Sequence, residues 1–395
     1  MNKKKILLGV AAASFLGPFS QTVYTPSLVQ LEQYFQVNTL LINLTISLFT
    51  AILAISNFVV GPIADRWGRR AVLLPGLLMF SLGAAICMLA ESYGVFLAGR
   101  AIQAAGISAA LVVAPAVIGD IYPPQERAKA MSLSQTVSMM GPVVGPVVGG
   151  LLASWLSWQW SFGLIVVAGV AMWFYQRSQL PETLARDTAP MPINFVGTFR
   201  SVFGNRSAFS IIVIGFSQLY GYYVFLVFLP ALLHSLFDLP ASVNGFFFLP
   251  LTVALLLGVT IGGRLQKRWT RTDILNVTSL SMAFSVLVFW LLLQFNLMTI
   301  PLLVTFLLCY GLLLGCSAPV QSTILVNLFQ HHRATAMGLY NSARFFGAAI
   351  GPLIGGFIVM KLPLSVVFLS LAVLLFIAAF VVRKNLSDPF EAKAR

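Results

Sequence analysis

Charged residues are scarce in this sequence. Only 9% of its 395 residues are Asp, Glu, Lys or Arg, and 11 acids stand against 24 lysines and arginines. A soluble domain ordinarily carries about 25% charged residues, so the composition argues against a surface that faces water. Hydrophobic residues make up 58% of the chain, and we therefore expect lipid to surround most of it.

Cysteine and histidine are also rare, with three residues of each type. Cys87, Cys309 and Cys316 lie inside apolar runs, form no CxxC pair and have no histidine at ligand spacing, so we interpret them as small buried apolar residues. The sequence has no phosphate-binding loop and no Ser/His/Asp constellation. We expect no metal, no cofactor and no enzymatic activity.

Long apolar runs are what the sequence has instead. A membrane-spanning helix needs about 20 mainly apolar residues, and twelve runs approach that length: 6–28, 39–62, 71–91, 95–119, 131–154, 160–176, 208–233, 243–264, 273–295, 299–325, 334–359 and 362–383. The sequence therefore predicts an all-α integral membrane protein with twelve transmembrane helices. The first run follows three lysines, as in a secretory signal, but so many further runs follow that we expect a retained span.

The basic residues indicate the orientation of these spans. Placing the N-terminus inside the cell puts nearly all of them in inner loops, leaving only Lys361 in an outer loop, and Arg100 and Arg344 inside spans. We therefore expect both termini in the cytoplasm, a location in the bacterial plasma membrane, and no nucleic-acid partner. The polar connection 177–207 separates a predicted six-helix bundle, 1–176, from a second one, 208–395.

The two halves of the sequence resemble each other. Residues 65–73 align with 267–275 at an offset of 202, and 126–150 align with 332–356 at an offset of 206. The second alignment pairs Gly141, Gly145, Pro146, Gly149 and Gly150 with Gly347, Gly351, Pro352, Gly355 and Gly356. Since six spans separate the repeats, we expect two pseudo-symmetric bundles related by an axis along the membrane normal.

The stretch GPIADRWGRR, 61–70, places one acid and three arginines between two apolar runs. A cytosolic turn explains the arginines but not the acid. A carboxylate at this position can interact with the N-terminus of a neighbouring helix, and an arginine can pair with another acid at the same membrane face. Asp120, at the inner end of the fourth span, is the candidate for that second acid.

These residues resemble the major facilitator superfamily, and within it the twelve-span drug–proton antiporters. The loop matches the signature of that superfamily at Gly61, Ala64, Asp65, Arg66, Gly68, Arg69, Arg70 and Leu73. The resemblance implies that the loop latches the two bundles on the cytosolic side in the outward-facing state. The predicted latch residues are Gly61, Asp65, Arg66, Gly68, Arg69, Arg70 and Asp120.

Two further motifs support the resemblance. The fourth span matches a family pattern at Arg100, Gln103 and Gly106, with Ala104 in place of a glycine. GPVVGPVVGG matches the fifth-span pattern of antiporters, which favours export over uptake. The motif residues are Gly141, Gly145, Pro146, Gly149 and Gly150. Static helix packing requires the same small residues as a bendable contact, so both interpretations stay open.

The resemblance also implies that spans 1, 4, 7 and 10 line a central cavity. On that basis, and because arginines inside a membrane usually face a cavity or a partner, the predicted cavity residues are Gln21, Tyr24, Arg100, Gln103, Gln218, Tyr222, Gln321 and Arg344. Hydrogen bonds between helices, interfacial tyrosines and an Arg100 side chain that extends to the lipid headgroups are the alternatives.

No Asp or Glu lies in the middle of any run, whereas many members of the resembled family carry a proton-exchanging carboxylate there. Proton coupling must then use an end-of-helix acid such as Glu32 or Asp120, or be indirect or lacking. Arginines without nearby acids favour anionic, zwitterionic or neutral substrates over strongly cationic ones.

The expected function is export of small amphipathic compounds by a monomer, through alternating access and in exchange for protons. Two alternatives stay open at this point. One is a dedicated transporter of an anionic or zwitterionic metabolite. The other is a membrane receptor on the same fold that transports nothing.

Overall fold

The computed structural model describes residues 3–37, 39–184, 195–237, 244–330 and 332–388. Every regular element in these ranges is helical. This follows from the apolar sequence, because a segment in lipid must satisfy its backbone N–H and C=O groups internally. The chain forms two compact units: the first comprises Met1–Thr198 and Phe329–Ser342, and the second Phe199–Leu328 and Ala343–Arg395.

The first unit contains eight α-helices in sequence order. They are α1 (Lys3–Thr22), α2 (Leu28–Phe35), α3 (Thr39–Trp67), α4 (Arg69–Met88), α5 (Tyr93–Ile121), α6 (Pro124–Met139), α7 (Gly141–Trp155) and α8 (Gln159–Gln179). A 3₁₀ turn, Thr25–Ser27, joins α1 to α2, with Pro26 at its centre. Within this unit α4 packs against α5 and α8, and α1 packs against α5, α6, α7 and α8.

The second unit contains the later helices. After α9 (Phe195–Gly204), which holds the boundary between the units, they are α10 (Arg206–Phe237), α11 (Asn244–Leu265), α12 (Arg271–Gln294), α13 (Ile300–Leu328), α14 (Arg333–Val359) and α15 (Ser365–Asn385). The start of α14, up to Ser342, belongs to the first unit. This segment lies inside the predicted second bundle, 208–395, so the grouping differs from the sequence-based division at this place.

The multi-pass membrane architecture is confirmed. In the described part of the chain, eleven helical segments are long and apolar enough to cross a membrane. The predicted run 160–176 corresponds to α8, whose 21 residues extend over about 30 Å. It is not among the eleven segments, and Gln159, Gln176 and Arg177 make its ends polar, although its length suffices for a span.

Candidate functional site

The predicted latch loop is a sharp reversal between α3 and α4. Gly68 has a φ of 108°, a conformation that strains any residue with a side chain. A Cβ at Gly68 would also collide with the Glu182 carboxylate. The reversal turns the first residue of α4, Arg69, back towards α3, where its Nη1 lies 2.7 Å from Asp65 Oδ1.

Asp65 binds the N-terminus of α14. Its carboxylate accepts hydrogen bonds from the Ala334 N–H at 3.2 Å, the Thr335 N–H at 2.7 Å and the Thr335 hydroxyl at 2.6 Å. The first N–H groups of a helix have no partner within it, and the helix dipole places partial positive charge there. An acid suits this position for both reasons.

Asp120 joins two arginines at the inner end of α5. Its Oδ2 accepts from Arg69 Nε at 3.1 Å, and its Oδ1 accepts from Arg333 Nη1 at 2.5 Å. We call Asp65, Arg69, Asp120 and Arg333 the Asp65–Asp120 cluster. The two acids balance the two arginines, and only 1% of the Arg69 side chain is exposed. Removing one member would leave a buried charge unmatched, which typically costs about 3–5 kcal/mol.

Of the other predicted latch residues, Gly61 lies beside the cluster, whereas Arg66 and Arg70 lie outside it. At Gly61, a Cβ would lie 2.7 Å from both Ala334 O and Thr335 Cα, so this glycine permits the close approach of α3 and α14. Arg70 donates from Nη2 to the carbonyl of Arg177 at 2.8 Å. Arg66 is exposed and forms no ion pair with any acid in the described ranges. The structure does not bring Arg66 and Arg70 into the cluster.

Sequence reasoning did not assign Arg333 and Thr335 to this site. A signal was present for Arg333, because it aligns with Arg127 in the internal repeat at an inner helix end. The alignment could not identify its partner, since Asp120 lies 213 residues earlier in the chain.

Arg100 is fully buried in the first unit, with an exposure of 0%. Its Nη1 donates to Gln103 Oε1 at 2.5 Å and to the Ser20 carbonyl at 3.3 Å. The guanidinium carbon lies 4.6 Å from the ring centre of Tyr24 and 4.2 Å from that of Phe49, distances at which a cation is attracted to an aromatic face. Full burial excludes the alternative in which Arg100 extends to the headgroups.

The Arg100 site holds more donors than acceptors. No acid in the described ranges pairs with Arg100, and its Nε has no hydrogen-bond partner. The amide nitrogens of Gln103 and Gln21 are likewise buried without a partner. A buried cation without a counter-ion is costly, and the two aromatic rings offset only part of that cost. The arrangement suits a group that accepts hydrogen bonds, such as a carboxylate or a carbonyl.

The second unit contains a neutral polar network instead. Gln218 on α10 accepts from Ser317 Oγ at 3.0 Å and from Gln321 Nε2 at 2.8 Å, both on α13. Tyr222 lies one helical turn after Gln218, and its ring centre is 5.8 Å from that of Tyr223. Arg344 on α14 is half-buried and interacts electrostatically with Tyr223.

The eight predicted cavity residues therefore fall into two groups. The first unit brings Tyr24, Arg100 and Gln103 into contact, and Gln21 follows Ser20, whose carbonyl accepts from Arg100. The second unit contains the other four, Gln218, Tyr222, Gln321 and Arg344, and joins Gln218 to Gln321 by a hydrogen bond.

The fifth-span glycines pack against α1. A Cβ at Gly141 would lie 2.6 Å from Phe19 N, and one at Gly145 or Gly149 would collide with Thr22 Oγ1 or the Val23 carbonyl. The spacing of four residues places these glycines on one helix face. At Gly150, no described residue outside its own helix has an atom within 4 Å of the place where a Cβ would stand, so Gly150 takes no part in this contact. Pro146 lies inside α7.

Comparison with known proteins decides the family. The family model described as Major Facilitator Superfamily matches residues 10–299 and 280–394. The chain belongs to the Major Facilitator Superfamily. It is thus a multi-pass membrane protein of this superfamily, as the resemblance in the sequence implied.

Several curated relatives are similar over part or most of the chain. The uncharacterized MFS-type transporter YwfA of Bacillus subtilis is 26% identical over 89% of this chain and 84% of its own length. The multidrug resistance protein MdtL of Escherichia coli is 30% identical over 47% of each chain. The MFS-type transporter tstD of Talaromyces stipitatus is 32% identical over 42% of this chain. That match spans only 30% of the length of tstD.

Two solved structures share the fold. The proton:xylose symporter XylE has a TM-score of 0.79 and 15% identity, and the match covers 98% of this chain and 96% of that one. The human organic anion transporter MFSD10 has a TM-score of 0.74 and 16% identity, with coverage of 97% and 100%. At these identities the match establishes the fold alone.

Proposed function

We propose that this transporter exports small amphipathic compounds from the cytoplasm by alternating access, as a monomer in the plasma membrane and in exchange for protons. The Asp65–Asp120 cluster carries the proposal, because it joins the helix ends of α3, α4, α5 and α14 through charges that protons can neutralise. Relatives described as multidrug transporters support export, and so does the fifth-span glycine pattern.

The cluster offers a route for proton coupling without an acid in the middle of a span. A proton on Asp120 would leave Arg69 and Arg333 without their shared counter-charge, and a proton on Asp65 would weaken its hold on the first turn of α14. Either event is expected to loosen α14 from α3 and α5. In this proposal, proton entry and release alternate with the making and breaking of the cluster.

We propose that polar groups of the spans bind the substrate and that each unit supplies its own set: Arg100 and Gln103 in the first unit, and Gln218 and Gln321 in the second. Within the described ranges no acid pairs with Arg100, which supports a second candidate, a transporter dedicated to an anionic or zwitterionic metabolite. The guanidinium would repel a cation and attract a carboxylate.

Reconstituted transport tests both candidates. The full chain is placed in liposomes with an imposed pH gradient, and uptake of ethidium (cationic), Nile red (neutral) and fluorescein (anionic) is measured together with lumenal pH. Export predicts that at least one dye moves against its gradient and that the pH gradient partly collapses as it does so. Movement of fluorescein alone would favour the second candidate. Failure of every dye to move, in protein that is folded and monodisperse, would reject the exporter.

Asp120→Asn tests coupling through the cluster. Its matched control is Asp273→Asn, at an exposed helix cap in the second unit. Coupling through the cluster predicts that the first variant uncouples dye movement from the pH gradient and the second does not. Equal coupling in both variants would remove the cluster from the proposal.

A further inference from the structure

The first residues after α8 contact the Asp65–Asp120 cluster. Helix α8 ends at Gln179, and Glu182 follows three residues later at the beginning of the connection between the two halves. The Glu182 carboxylate accepts from the Arg69 N–H at 2.8 Å and from the Arg70 N–H at 3.1 Å. It therefore binds the first two N–H groups of α4, where an acid is stabilised by unpaired donors and the helix dipole.

Glu182 also fixes its own segment. Its Oε1 accepts from the Thr183 N–H at 3.0 Å and from the Leu184 N–H at 3.1 Å. One carboxylate thus ties the segment 182–184 to the beginning of α4. Gly68 is required for this approach, because a Cβ there would occupy the place of the carboxylate.

Thr183 extends the contact to the cluster itself. Its hydroxyl donates to Asp120 Oδ2 at 3.0 Å, and the same oxygen accepts from Arg69 Nε at 3.1 Å. Asp120 consequently has three side-chain donors: two arginines and the hydroxyl of a residue in the connecting segment. Hydrogen bonds to charged groups are among the stronger ones in proteins.

We infer that Glu182 and Thr183 are positioning residues of the Asp65–Asp120 cluster, so that residues 182–184, just after α8, take part in the gate. Glu182 sets the start of α4 and thereby the place from which Arg69 reaches both acids. Thr183 orients the Asp120 carboxylate towards its arginines. The inference rests on the proposed function only in calling the cluster a gate.

The second unit shows a different use of the equivalent position. Asp388 lies three residues after the end of α15, as Glu182 does after α8. It pairs with the Arg271 guanidinium at 2.6 Å, while the start of α12 is capped by the Thr270 hydroxyl, which accepts from the Asp273 N–H at 3.1 Å. Asp388 is therefore a matched control: an acid at the same place after a helix, bound to a side chain rather than to a helix start.

Cysteine labelling tests the inference without knowledge of the substrate. In a full-length background with the three native cysteines replaced, Ala336→Cys places a thiol on a fully buried position of α14. A membrane-impermeant maleimide is then added to inverted vesicles. Thr183→Val removes the hydroxyl at nearly constant volume and is expected to speed labelling about tenfold, the effect of losing one hydrogen bond to a charged acceptor. Thr183→Ser should restore the original rate.

Glu182→Gln should speed labelling as well, because the amide keeps only one acceptor and no charge, whereas Asp388→Asn should leave the rate unchanged. If Thr183→Val is poorly folded, Thr183→Ala serves in its place, since the smaller side chain introduces no steric overlap at this half-buried position. Unchanged labelling in the Thr183 and Glu182 variants, failure of Thr183→Ser to restore the rate, or an equal effect of Asp388→Asn would each overturn the inference. Failure of the exporter in liposomes, with these labelling changes intact, would reject the proposed function and leave the positioning role standing.

Discussion

The repeated segments 124–155 and 333–359 differ in one respect despite their aligned glycines. In the first half the chain forms two helices, α6 and α7, separated at Met140, whereas in the second half it forms the single helix α14. Both contain the second proline of the pattern, Pro146 or Pro352, inside a helix. The shared proline therefore does not cause the break.

The difference lies at Pro142, whose counterpart is Ala348. Pro142 lacks the N–H that would bond to the carbonyl of Ser138, and Pro146 lacks the N–H that would bond to Pro142 itself. Two missing bonds in successive turns interrupt the helix, whereas α14 tolerates one. A repeat can thus conserve a packing face while one substitution changes whether the helix is continuous.

The polar chemistry of the units differs too. The first unit contains a charged site at Arg100 and both acids of the Asp65–Asp120 cluster. In the second unit, α13 has no lysine or arginine, and its polar residues Ser317 and Gln321 form a neutral network with Gln218. We interpret the first unit as the one whose function depends on charged side chains, in contrast to the neutral polar side chains of α10 and α13.

The largest effect is expected from Gly149→Ala. The added methyl group would collide with the carbonyl of Val23, the residue after α1, and because backbone cannot yield cheaply, overpacking of this kind should cost about 3 kcal/mol or more. Thermal unfolding in detergent and the yield of monodisperse protein measure the loss. The control is Gly150→Ala, whose methyl group meets no atom within 4 Å.

The glycine prediction also compares the halves. At Gly355, the counterpart of Gly149, a methyl group would meet the end of the Phe228 ring, which can rotate away. Gly355→Ala should therefore destabilise less than Gly149→Ala and more than Gly150→Ala. Equal stability of all three variants would contradict the contact that we assign to the fifth-span glycines.

The next largest effect is expected at Arg100. Arg100→Gln removes the buried charge and its bond to Gln103, and transport should fall by about 10- to 100-fold, the equivalent of one charged hydrogen bond. Gln218→Leu should reduce transport only about threefold, since Ser317 and Gln321 remain 3.1 Å apart and can bond to each other. Initial rates in liposomes, normalised to folded protein, measure both. A larger loss in the Gln218 variant would reverse the contrast between charged and neutral sites.

Much of this arrangement follows from the sequence, and the limits are physical. The spans follow from apolar length, and the glycine face of α7 from a spacing of four residues. A contact between a loop arginine and Asp120 was predictable because both lie at inner helix ends. The partners of Asp65 on α14 and the role of Arg333 were not predictable, because they depend on which helix starts meet in space. The aromatic faces of Tyr24 and Phe49 around Arg100 depend in the same way on how α3, α5 and the turn after α1 pack.

A smaller effect is expected from Asp65→Asn. The amide retains one acceptor for the start of α14 but loses the charge that matches Arg69, so we expect inner-side labelling of the cysteine at position 336 to rise about tenfold. Lys267, the residue aligned with Asp65 in the second half, is exposed, and Lys267→Gln should leave labelling unchanged. If Asp65→Asn labels at the rate of the parent protein, the charge of Asp65 does not hold α14.

The smallest effect, and the most direct test of the difference between the repeats, is expected when Pro142 is replaced by the residue of its counterpart in the second half. Pro142→Ala restores an N–H that can bond to the Ser138 carbonyl, so the junction at Met140 should become more helical and unfold at a slightly higher temperature. Ala348→Pro should do the reverse in α14, at a cost of about 3 kcal/mol. Hydrogen–deuterium exchange of 138–146 and 344–352 reads each junction separately.

If the glycine contact must bend during transport, Pro142→Ala should also slow dye export about two- to threefold while leaving the exchange of 344–352 unchanged, since a continuous α6–α7 resists bending. An unaltered export rate together with a demonstrably more protected junction would assign the fifth-span motif to static packing.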